Sequence, residues 1–464
     1  PEVVVHALAM HDASAALGSL ALLADAVGGV DGARLVVVTA GAQEVTGDED
    51  LSPASAALIG AARVIAQEYP ALGCRVIDIA PDDVSEATAA RVAAEAVSDA
   101  ADLVVGYRGR HRWVRGFRAA NPAAPAARLR EGGVYAFVGA LGPHSAALAQ
   151  AVARTPGVRI ALITPMELEV GATLALSQAG AQVMCIAAEA GDAAVLREAL
   201  DRVHERCGGL DGVVYSPAAG GLAEFGAIAA AEPAVWVEQI AAFGAELDAF
   251  AAALEGRAPD FVLLELPLAG AVGGVGQARL AAVATLAEAV AARRGWSAVA
   301  WDRWNHGGDD PHGIVPDEMP AALDAVLALA GEPSVLVSTN DLEARIRAAA
   351  VRPAEAGAAL YERPALDVDY AAPANEVEEQ LAELWSGLLG IEKVGIHDDF
   401  FGLGGHSLLA TQIVGRVRDL FHLDLPLQSI FEAPTIAKYA ALIEDAILAE
   451  LESLTEEEAA GLMQ

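Results

Sequence analysis

The amino-acid sequence predicts two α/β units, each built on a buried parallel sheet, followed by a small all-α domain. Up to about residue 350, short apolar runs alternate with longer Ala-rich amphipathic runs. This alternation is typical of parallel strands covered by helices on both faces. An Ala- and Pro-rich stretch at 118–133 divides it into two series. Beyond residue 375 the apolar residues recur at helical spacing.

Ten short apolar runs are the candidate strands, four before the break and six after it. The first series comprises 3–9, 34–40, 74–80 and 102–108, and the second comprises 133–139, 158–164, 181–187, 212–216, 260–266 and 297–302. Most of the runs are separated by stretches long enough for a helix. We therefore expect each series to form one parallel sheet, with the second unit the larger.

The last part of the chain is interpreted as a linker, four helical segments and a tail. Residues 351–375 carry scattered Pro and no sustained period, which is typical of an interdomain linker. The helical segments are Glu376–Leu389, Ser407–Phe421, a short turn at Ser429–Glu432, and Ile436–Leu448. We expect them to form a small four-helix bundle. The predicted division of the whole chain is 1–122, 123–350, 351–375, 376–448, and an acidic tail at 449–464.

Composition and charge argue against several classes of protein. The chain has 464 residues, of which 54% are hydrophobic and 20% charged, so it has ample material for globular cores. Its net charge of −35 argues against a nucleic-acid partner, because phosphates need Lys and Arg. The Ala-rich runs are broken by charges, Gly or Pro, so we expect no transmembrane segment and no membrane partner.

Further sequence features bear on compartment and extent. The cysteines Cys74, Cys185 and Cys207 are far apart and lack metal-ligand spacing, so we expect a reducing cytoplasm and no metal site. The sequence starts with Pro1 instead of Met and lacks a basic signal-peptide region. We therefore expect a piece excised from a longer polypeptide. Partners that dock by charge are expected to present basic surfaces.

One stretch near the end of the chain, "DDFFGLGGHSLLATQ" at 398–412, places a serine after a glycine pair. Gly404 and Gly405 permit a tight bend. The apolar residues that follow recur at helical spacing, which predicts Ser407 on an exposed corner in the first turn of a helix. Taken alone, Ser407 is also explained as a plain N-cap, because Ser caps helices well.

The segment around this stretch, from "LWSGLLGIEKVGIHDDFFGLGGHSLLATQIVGRV" to "IFEAPTIAKYAALIE", resembles the thiolation domain, the peptidyl or acyl carrier protein of modular synthases. The resemblance implies that a phosphopantetheinyl transferase attaches a 4′-phosphopantetheine arm to Ser407, and that the arm tethers acyl or peptidyl groups as thioesters. A helix N-terminus suits the arm's phosphate. The "LGGHS" form favours nonribosomal peptide synthetases and hybrid polyketide lines. His406 is interpreted as a surface residue instead of a general base.

The first 350 residues resemble a polyketide ketoreductase. The stretch "LVVVTAGAQEV…SPASAALIGAARVIAQEYPALGCRVIDI" is similar to that family's structural subdomain, a Rossmann-like unit that has no cofactor. The second half is similar to the family's catalytic subdomain, which has a short-chain-dehydrogenase fold. The resemblance implies a double Rossmann-like α/β architecture, with a structural subdomain followed by a degenerate catalytic one.

The resemblance is poor where the family binds NADPH. A Gly-rich turn after the first strand lets the backbone approach the pyrophosphate. In "VGALGPHSAA", 138–147, Gly139 and Gly142 remain, but Pro143 removes an N–H donor and Ser145 stands where a third Gly is expected. A Thr-Pro pair at 164–165 replaces the Arg that holds the NADP 2′-phosphate in the family. We expect no productive NADPH binding and assign no cofactor-binding residue.

The family's catalytic groups are also missing. The family uses a Ser, a Tyr that donates a proton, and a Lys that lowers the pKa of the Tyr. The six residues after "DFVLLE", "LPLAGA", include neither Ser nor Thr, and Leu280 stands at the Tyr position. The only lysines of the chain are Lys393 and Lys438, both in the carrier segment. Arg279 does not replace the Lys, because Arg stays charged and differs in shape. We assign no catalytic residue.

Two hypotheses follow for the reductase-like part. In the first, it is a redox-inactive scaffold that leaves a β-keto group unreduced. In the second, it keeps a non-redox role such as epimerisation or binding of an intermediate, or an unconventional reductase activity. Tyr215, Glu265 and His306 would then line its cleft.

The two resemblances together imply the terminal part of an assembly-line synthase module. Expected partners are upstream condensing and acyl-loading domains and a downstream synthase subunit. The acidic stretch at 451–462 resembles segments that dock onto the next subunit, with Leu451, Leu454 and Leu462 as apolar anchors. The alternative for this stretch is a solvated, frayed end.

Overall fold

The computed structural model describes residues 3–30, 32–69, 71–120, 129–165, 170–217, 228, 232–302, 313–350, 370–389, 393–400, 403, 407–421, 423, 425 and 429–453. The chain divides into two compact units, Pro1–Ala350 and Val351–Gln464. Each unit is described by itself below.

The first part of unit 1 contains a five-stranded sheet. Its strands are β1 Val3–His6, β2 Arg34–Ala40, β3 Gly73–Ile79, β4 Val104–Arg108 and β5 His111–Val114, and its helices are α1 Ala13–Gly28, α2 Pro53–Glu68 and α3 Glu86–Ala96. The strands lie in the order in which they occur along the chain. The first four are parallel, and β5 returns antiparallel to β4.

The second part of unit 1 contains a seven-stranded parallel sheet. Its strands are β6 Val134–Gly139, β7 Arg159–Thr164, β8 Gln182–Ala187, β9 Gly212–Ser216, β10 Phe261–Pro267, β11 Ser297–Trp301 and β12 Ser334–Val337. Its helices are α4 Pro143–Ala153, α5 Val170–Gln178, α6 Ala193–Cys207, α7 Pro233–Leu254, α8 Ala269–Val272, α9 Ala278–Arg294, α10 Met319–Ala328 and α11 Leu342–Ala350. The strand order is β12-β11-β10-β9-β6-β7-β8.

All ten predicted strands are confirmed, and two further strands were not predicted. The first strand is shorter than expected, because Leu8–Met10 form a turn of 3₁₀ helix. The unpredicted β5 has four exposed residues, including a His and an Arg, so it lacks the apolar signature of a buried strand. The unpredicted β12 is only four residues long and lies at the edge of its sheet.

The two sheets share one apolar core. A single cluster of buried side chains runs from the five-stranded part, with Leu35 and Ile65, into the larger part, with Leu264 and Phe250. The opposite face of the larger sheet packs on α4 and α10 through a second cluster, which includes Phe137. The predicted break at 118–133 therefore separates two sheets but not two independent cores.

Helices α2 and α9 join the two parts at very close range. Gly60 of α2 is so near α9 that a Cβ atom placed on it would lie 2.1 Å from the Ala281 carbonyl oxygen and 2.6 Å from the Ala282 nitrogen. Ala61 and Ala62, which follow in α2, are completely buried. Small residues at the crossing let the two helix backbones approach each other.

The carboxyl edge of the five-stranded sheet is closed by a buried ionic network. The Asp78 carboxylate accepts hydrogen bonds from the Thr39 hydroxyl at 2.9 Å and from the Ala42 N–H at 2.8 Å. The Arg108 guanidinium bonds Asp78 at 2.9 Å and Glu49 at 2.9 Å. These side chains fill the edge at which an open α/β sheet normally receives a ligand.

Unit 2 consists of helices around one apolar cluster in its described part. The helices are α12 Glu376–Leu389, α13 Ser407–Phe421, α14 Ser429–Glu432 and α15 Ile436–Ser453. Their buried side chains include Leu381, Trp385, Ile413, Tyr439 and Ile443. The predicted segment bounds are confirmed except that α15 is longer, because no Gly or Pro interrupts it before Ser453. The four-helix bundle arrangement stays a prediction.

Two further predictions concern stretches that the structure describes only in part. No helix among them has the length and apolar character needed to cross a lipid bilayer. Residues 454–464 of the predicted docking tail lie outside the described residues.

The α2–α9 contact predicts opposite effects for two glycine substitutions within helices. Gly60→Ala places a methyl group inside the α9 backbone, so we expect the free energy of unfolding to fall by about 1–3 kcal/mol. Gly244→Ala in α7 is the control, because its Cβ would meet only Leu286, at 4.0 Å. We expect that variant to gain about 0.5–1 kcal/mol from helix propensity. Chemical denaturation of both variants measures the difference, and equal stabilities would contradict the close approach.

Candidate functional site

The seven-stranded sheet has its topological switch point between β6 and β9. The chain runs from β6 to β7 on one side, and returns on the other side through β9 and β10. In open α/β sheets, ligands bind outside the carboxyl ends of the strands at this point. Gly139 ends β6, Ser216 ends β9, and Glu265 lies near the end of β10. This edge is therefore the candidate site in unit 1.

Gly139 is required by the packing of the sheet itself. Its φ is +101°, and a Cβ atom on it would lie 2.0 Å from the Ser216 carbonyl oxygen. That same oxygen accepts a hydrogen bond from the Ala140 N–H at 2.9 Å. A side chain at residue 139 would force β6 and β9 apart, whatever binds above them.

Gly142 is under no such constraint. It precedes α4 with an ordinary φ of −74°, and a Cβ atom on it would meet nothing within 4 Å. Pro143, the first residue of α4, has no backbone N–H. The helix therefore offers one fewer donor at its N-terminus than a helix that begins with another residue.

Three side-chain oxygens meet beneath this turn. The Ser145 and Ser216 hydroxyl oxygens lie 2.7 Å apart. The Glu265 Oε2 atom lies 2.6 Å from the Ser145 Oγ and 2.5 Å from the Ser216 Oγ. Ser145 and Ser216 are buried, and Glu265 is partly buried. Burial raises the pKa of the Glu265 carboxyl, although the two hydroxyls and His144 act to lower it.

Polar groups next to this cluster are held by neighbouring elements. The His144 Nε2 atom lies 2.9 Å from the Asp302 carbonyl oxygen. The buried Asp302 carboxylate pairs with Arg345 at 2.6 Å and accepts a hydrogen bond from the Thr339 N–H at 3.1 Å. These contacts tie α4 to the ends of β11 and β12.

The positions predicted for catalytic groups carry packing residues. Leu280 lies on α9 and packs against the shared apolar core. The guanidinium of the adjacent Arg279 donates to the Gln239 side-chain oxygen at 2.7 Å. At the end of β7, where the family resemblance implies an Arg, Thr164 is buried and Pro165 follows.

Tyr215, one of the predicted cleft residues, is packed in the core and is not placed to act as a catalytic proton donor. Its ring is completely buried and stacks on Phe250, and its hydroxyl donates to the Glu246 carboxylate. Burial, followed by the nearby Glu246 charge, raises the pKa of this phenol well above its ordinary value. The shift is opposite to what a proton donor near neutral pH needs. His306 lies outside the described residues.

In unit 2, Ser407 is the first residue of α13. Earlier in the chain, the Phe400 N–H donates to the carbonyl of Pro434, just before α15, at 2.7 Å. Asp398 is fully buried, and its carboxylate accepts the Gly395 N–H at 2.7 Å. Gly404, Gly405 and His406 lie outside the described residues. The serine thus lies at the N-terminus of α13.

Comparison with known proteins identifies both parts. Residues 133–305 match the family model described as "KR domain", and residues 379–443 match the model described as "Phosphopantetheine attachment site". The chain joins a KR domain to a phosphopantetheine-attachment domain. Ketoreductase structures similar to the first part come from a modular polyketide synthase and from an NRPS module.

Three similar proteins support these matches. Tyrocidine synthase 3 of Brevibacillus parabrevis is 53% identical over 74 residues, which are 16% of this chain and 1% of that protein. A C2-type ketoreductase from a modular polyketide synthase aligns with a TM-score of 0.63 at 23% identity, covering 72% of this chain and 77% of the other. A structure of adenylation, ketoreductase and pseudo Asub domains from a keto acid-selecting NRPS module aligns at 0.57 and 14% identity, covering 72% and 30%.

The matches confirm the predicted Rossmann-like ketoreductase fold and the presence of a carrier domain. The chain spans only about 1% of the curated relative named above. Sequence reasoning missed how Ser145 is used: it was interpreted as a lost glycine, and it bonds Ser216 and Glu265. The sequence did offer a signal for this contact, namely a polar residue at or near the end of each of the strands β9 and β10.

Sequence reasoning also missed Glu68, which reaches from α2 to two backbone N–H groups of the larger part. Its carboxylate accepts the Ile228 N–H at 2.7 Å and the Gly276 N–H at 2.9 Å. The preceding Gln67 bonds the Val272 carbonyl at 2.8 Å and the Gly274 N–H at 2.7 Å. Burial raises the pKa of Glu68 to about 7, although the two N–H groups lower it.

The raised pKa of Glu68 predicts a pH-dependent stability. Between the ordinary glutamate pKa and about pH 7, the folded chain holds a proton that the unfolded chain has lost. This contribution favours the folded state at low pH and is lost as the pH rises through about 7. Glu68→Gln removes the titration, so its free energy of unfolding should fall less than that of the wild type between about pH 5 and about pH 8.

Urea denaturation at several pH values measures this slope. Glu189→Gln is the matched control, because Glu189 is exposed and loses the same charge. A Glu68→Gln variant with the wild-type slope would contradict the assignment of a protonated, buried Glu68.

Proposed function

We propose that the chain is the terminal part of an assembly-line module, in which the carrier domain tethers acyl or peptidyl groups through Ser407 while the KR domain transfers no hydride. The carrier part is supported by the family match over 379–443, which includes Ser407, and by the likeness to tyrocidine synthase 3. Ser407 at the first position of α13 agrees with this assignment.

The phosphopantetheine arm supplies a thiol that holds the growing product as a thioester. The chain itself supplies the anchoring serine and a favourable place for the arm's phosphate. The N–H groups in the first turn of α13 have no partner within the helix, and the helix dipole favours a negative charge at that end.

The observation that carries the redox-inactive part is Leu280 at the proton-donor position, in a domain with no lysine. The first lysine of the chain is Lys393. Each of the four tyrosines before residue 350 bonds another group: Asp25 for Tyr69, Glu95 for Tyr107, the Arg130 N–H for Tyr135, and Glu246 for Tyr215. None of these hydroxyls stands in for the missing donor.

The residues at the switch point do not fit a dinucleotide. Pro143 removes a donor from the turn, and Ser145 and Glu265 occupy the space beneath it. The segment after β7 adds no cation, because it reads Thr164-Pro-Met-Glu-Leu-Glu169. A pyrophosphate and a 2′-phosphate carry several negative charges. This edge presents carboxyl groups to them instead of cations. We therefore propose that NADPH does not bind productively and that a β-keto group passes unreduced.

The non-redox alternative, epimerisation, needs a base that is free to take a proton. Glu265 is already bonded to two hydroxyls, and the Tyr215 hydroxyl donates to Glu246. The described residues thus favour a scaffold. We propose that the KR domain, with its shared core and its tightly packed α2–α9 contact, spaces the carrier from its upstream partners.

Proposed partners follow from the position in the module. A phosphopantetheinyl transferase must modify Ser407, and a downstream synthase protein must accept the tethered product. Upstream, we propose a domain that selects and loads the acyl group. The NRPS structure similar to this chain combines adenylation and ketoreductase domains, which supports an adenylation domain as one candidate for that role.

Loading of the carrier domain tests the first part of the proposal. We expect the purified chain to gain the mass of one phosphopantetheine when incubated with coenzyme A and a broad transferase. Ser407→Ala should gain none, while Ser386→Ala, a control on α12, should gain as much as the wild type. Intact-protein mass spectrometry measures all three, and a loaded Ser407→Ala variant would overturn the site.

Cofactor binding and turnover test the second part. We expect no saturable heat in calorimetric titration with NADPH and no cofactor-dependent loss of absorbance with a β-keto thioester. Each missing acid or oxyanion donor alone is expected to cost about 10²–10⁴ in rate. Micromolar NADPH binding, or turnover above the rate without enzyme, would overturn redox inactivity.

A further inference from the structure

Ser145, Ser216 and Glu265 form a triangle of oxygens, and the number of hydrogens that it needs determines the protonation state of Glu265. Three oxygens lie within 2.5–2.7 Å of one another, and each of these contacts needs one hydrogen. The two serine hydroxyls supply two hydrogens. If Glu265 is ionised and both hydroxyls donate to it, the serine oxygens face each other at 2.7 Å with no hydrogen between them. A third hydrogen on the Glu265 carboxyl removes this conflict.

Turning the Ser145 hydroxyl toward the Ala140 carbonyl oxygen does not remove this conflict, because the 2.6 Å contact between Ser145 and an ionised Glu265 would then lack a hydrogen. Ser145 also lies near the Ala140 carbonyl oxygen, but at 3.4 Å, which is long for a hydroxyl donor. The geometry therefore favours a ring in which each oxygen donates once and accepts once. Burial of the Glu265 carboxyl acts in the same direction, because it penalises the charged form.

We propose that Ser145, Ser216 and a protonated Glu265 form a closed hydrogen-bonded ring that shuts the switch-point crevice to phosphate groups. The ring joins α4, β9 and β10. In a dinucleotide-binding domain, the ligand's phosphates accept hydrogen bonds from the turn at this place. It deepens the proposed function and rests on the KR domain working without a dinucleotide.

The ring excludes an anion in either protonation state. When Glu265 is protonated, all three O–H groups donate within the ring, so none is left for a phosphate oxygen. When Glu265 is ionised, its negative charge repels a phosphate across a partly desolvated site. Of the neighbouring ionisable groups, His144 on α4 acts on Glu265, and its ring in turn contacts the Asp302 backbone carbonyl. The Asp302 carboxylate is paired with Arg345.

Infrared difference spectroscopy tests the proton. At about pH 6 an ordinary glutamate is ionised, so a protonated carboxyl contributes a separate carbonyl band. We expect the wild type to show such a band and Glu265→Gln to lose an intensity equal to one group. Glu189→Gln, whose parent residue is exposed near the same sheet edge, should leave the band unchanged. An unchanged spectrum for Glu265→Gln would overturn the ring.

Binding of adenosine diphosphate, which carries a pyrophosphate, tests the closure. We expect no saturable binding by the wild type. A doubly substituted chain, Ser145→Gly with Glu265→Ala, frees the α4 N-terminus and should bind at least about tenfold more tightly. The unfolding midpoint reports whether this variant is folded, and the infrared result stands if it is not. A folded double variant without a gain would overturn the closure.

The two proposals fail in different ways. NADPH binding by the wild type would overturn the redox-inactive function, whatever the infrared spectra show. No binding by the wild type, together with no gain in the folded double variant, would leave that function standing and remove the ring as its cause.

Discussion

The contact between α2 and α9 is the constraint on which unit 1 depends. Gly60 brings the α2 backbone against the Ala281 carbonyl, and this approach merges the cores of the two sheets into one. The same helix then extends polar side chains across the boundary, with Arg63 bonding the Gly270 carbonyl and Gln67 bonding the Gly274 N–H. The segment that follows β10 is therefore held by side chains of α2.

This arrangement explains how side chains of the KR domain itself stabilise its fold. The loop beside the site is held by Gln67 and Glu68, the crevice by Ser145 and Glu265, and the edge of the smaller sheet by Asp78 and its partners. At the described carboxyl ends of both sheets, where an α/β sheet ordinarily receives a ligand, side chains of the protein bond one another. Under the proposed function, the fold therefore does not depend on a bound dinucleotide.

The fold was largely predictable from the sequence, and the site only in part. Ten strands follow from apolar runs, because burial in a parallel sheet requires them. Strand β5 was missed because all four of its residues are exposed, so no hydrophobic pattern marks it. The positions of Leu280 and Ser407 follow from local motifs. The triangle of Ser145, Ser216 and Glu265 joins residues 120 positions apart, and only the strand order brings them together.

The two glycines in the turn after β6 differ in whether the packing of the protein requires them. Gly139 is held by the sheet, since any side chain there would strike the Ser216 carbonyl. Gly142 faces open space, so nothing in the described packing demands it. A glycine required by the fold persists whether or not a cofactor binds, and it therefore carries no information about the cofactor. Residues that contact the ligand carry that information, and the proposed redox inactivity therefore rests on positions such as Pro143 and Leu280. Gly139 thus indicates only the fold, and it neither supports nor opposes the proposal.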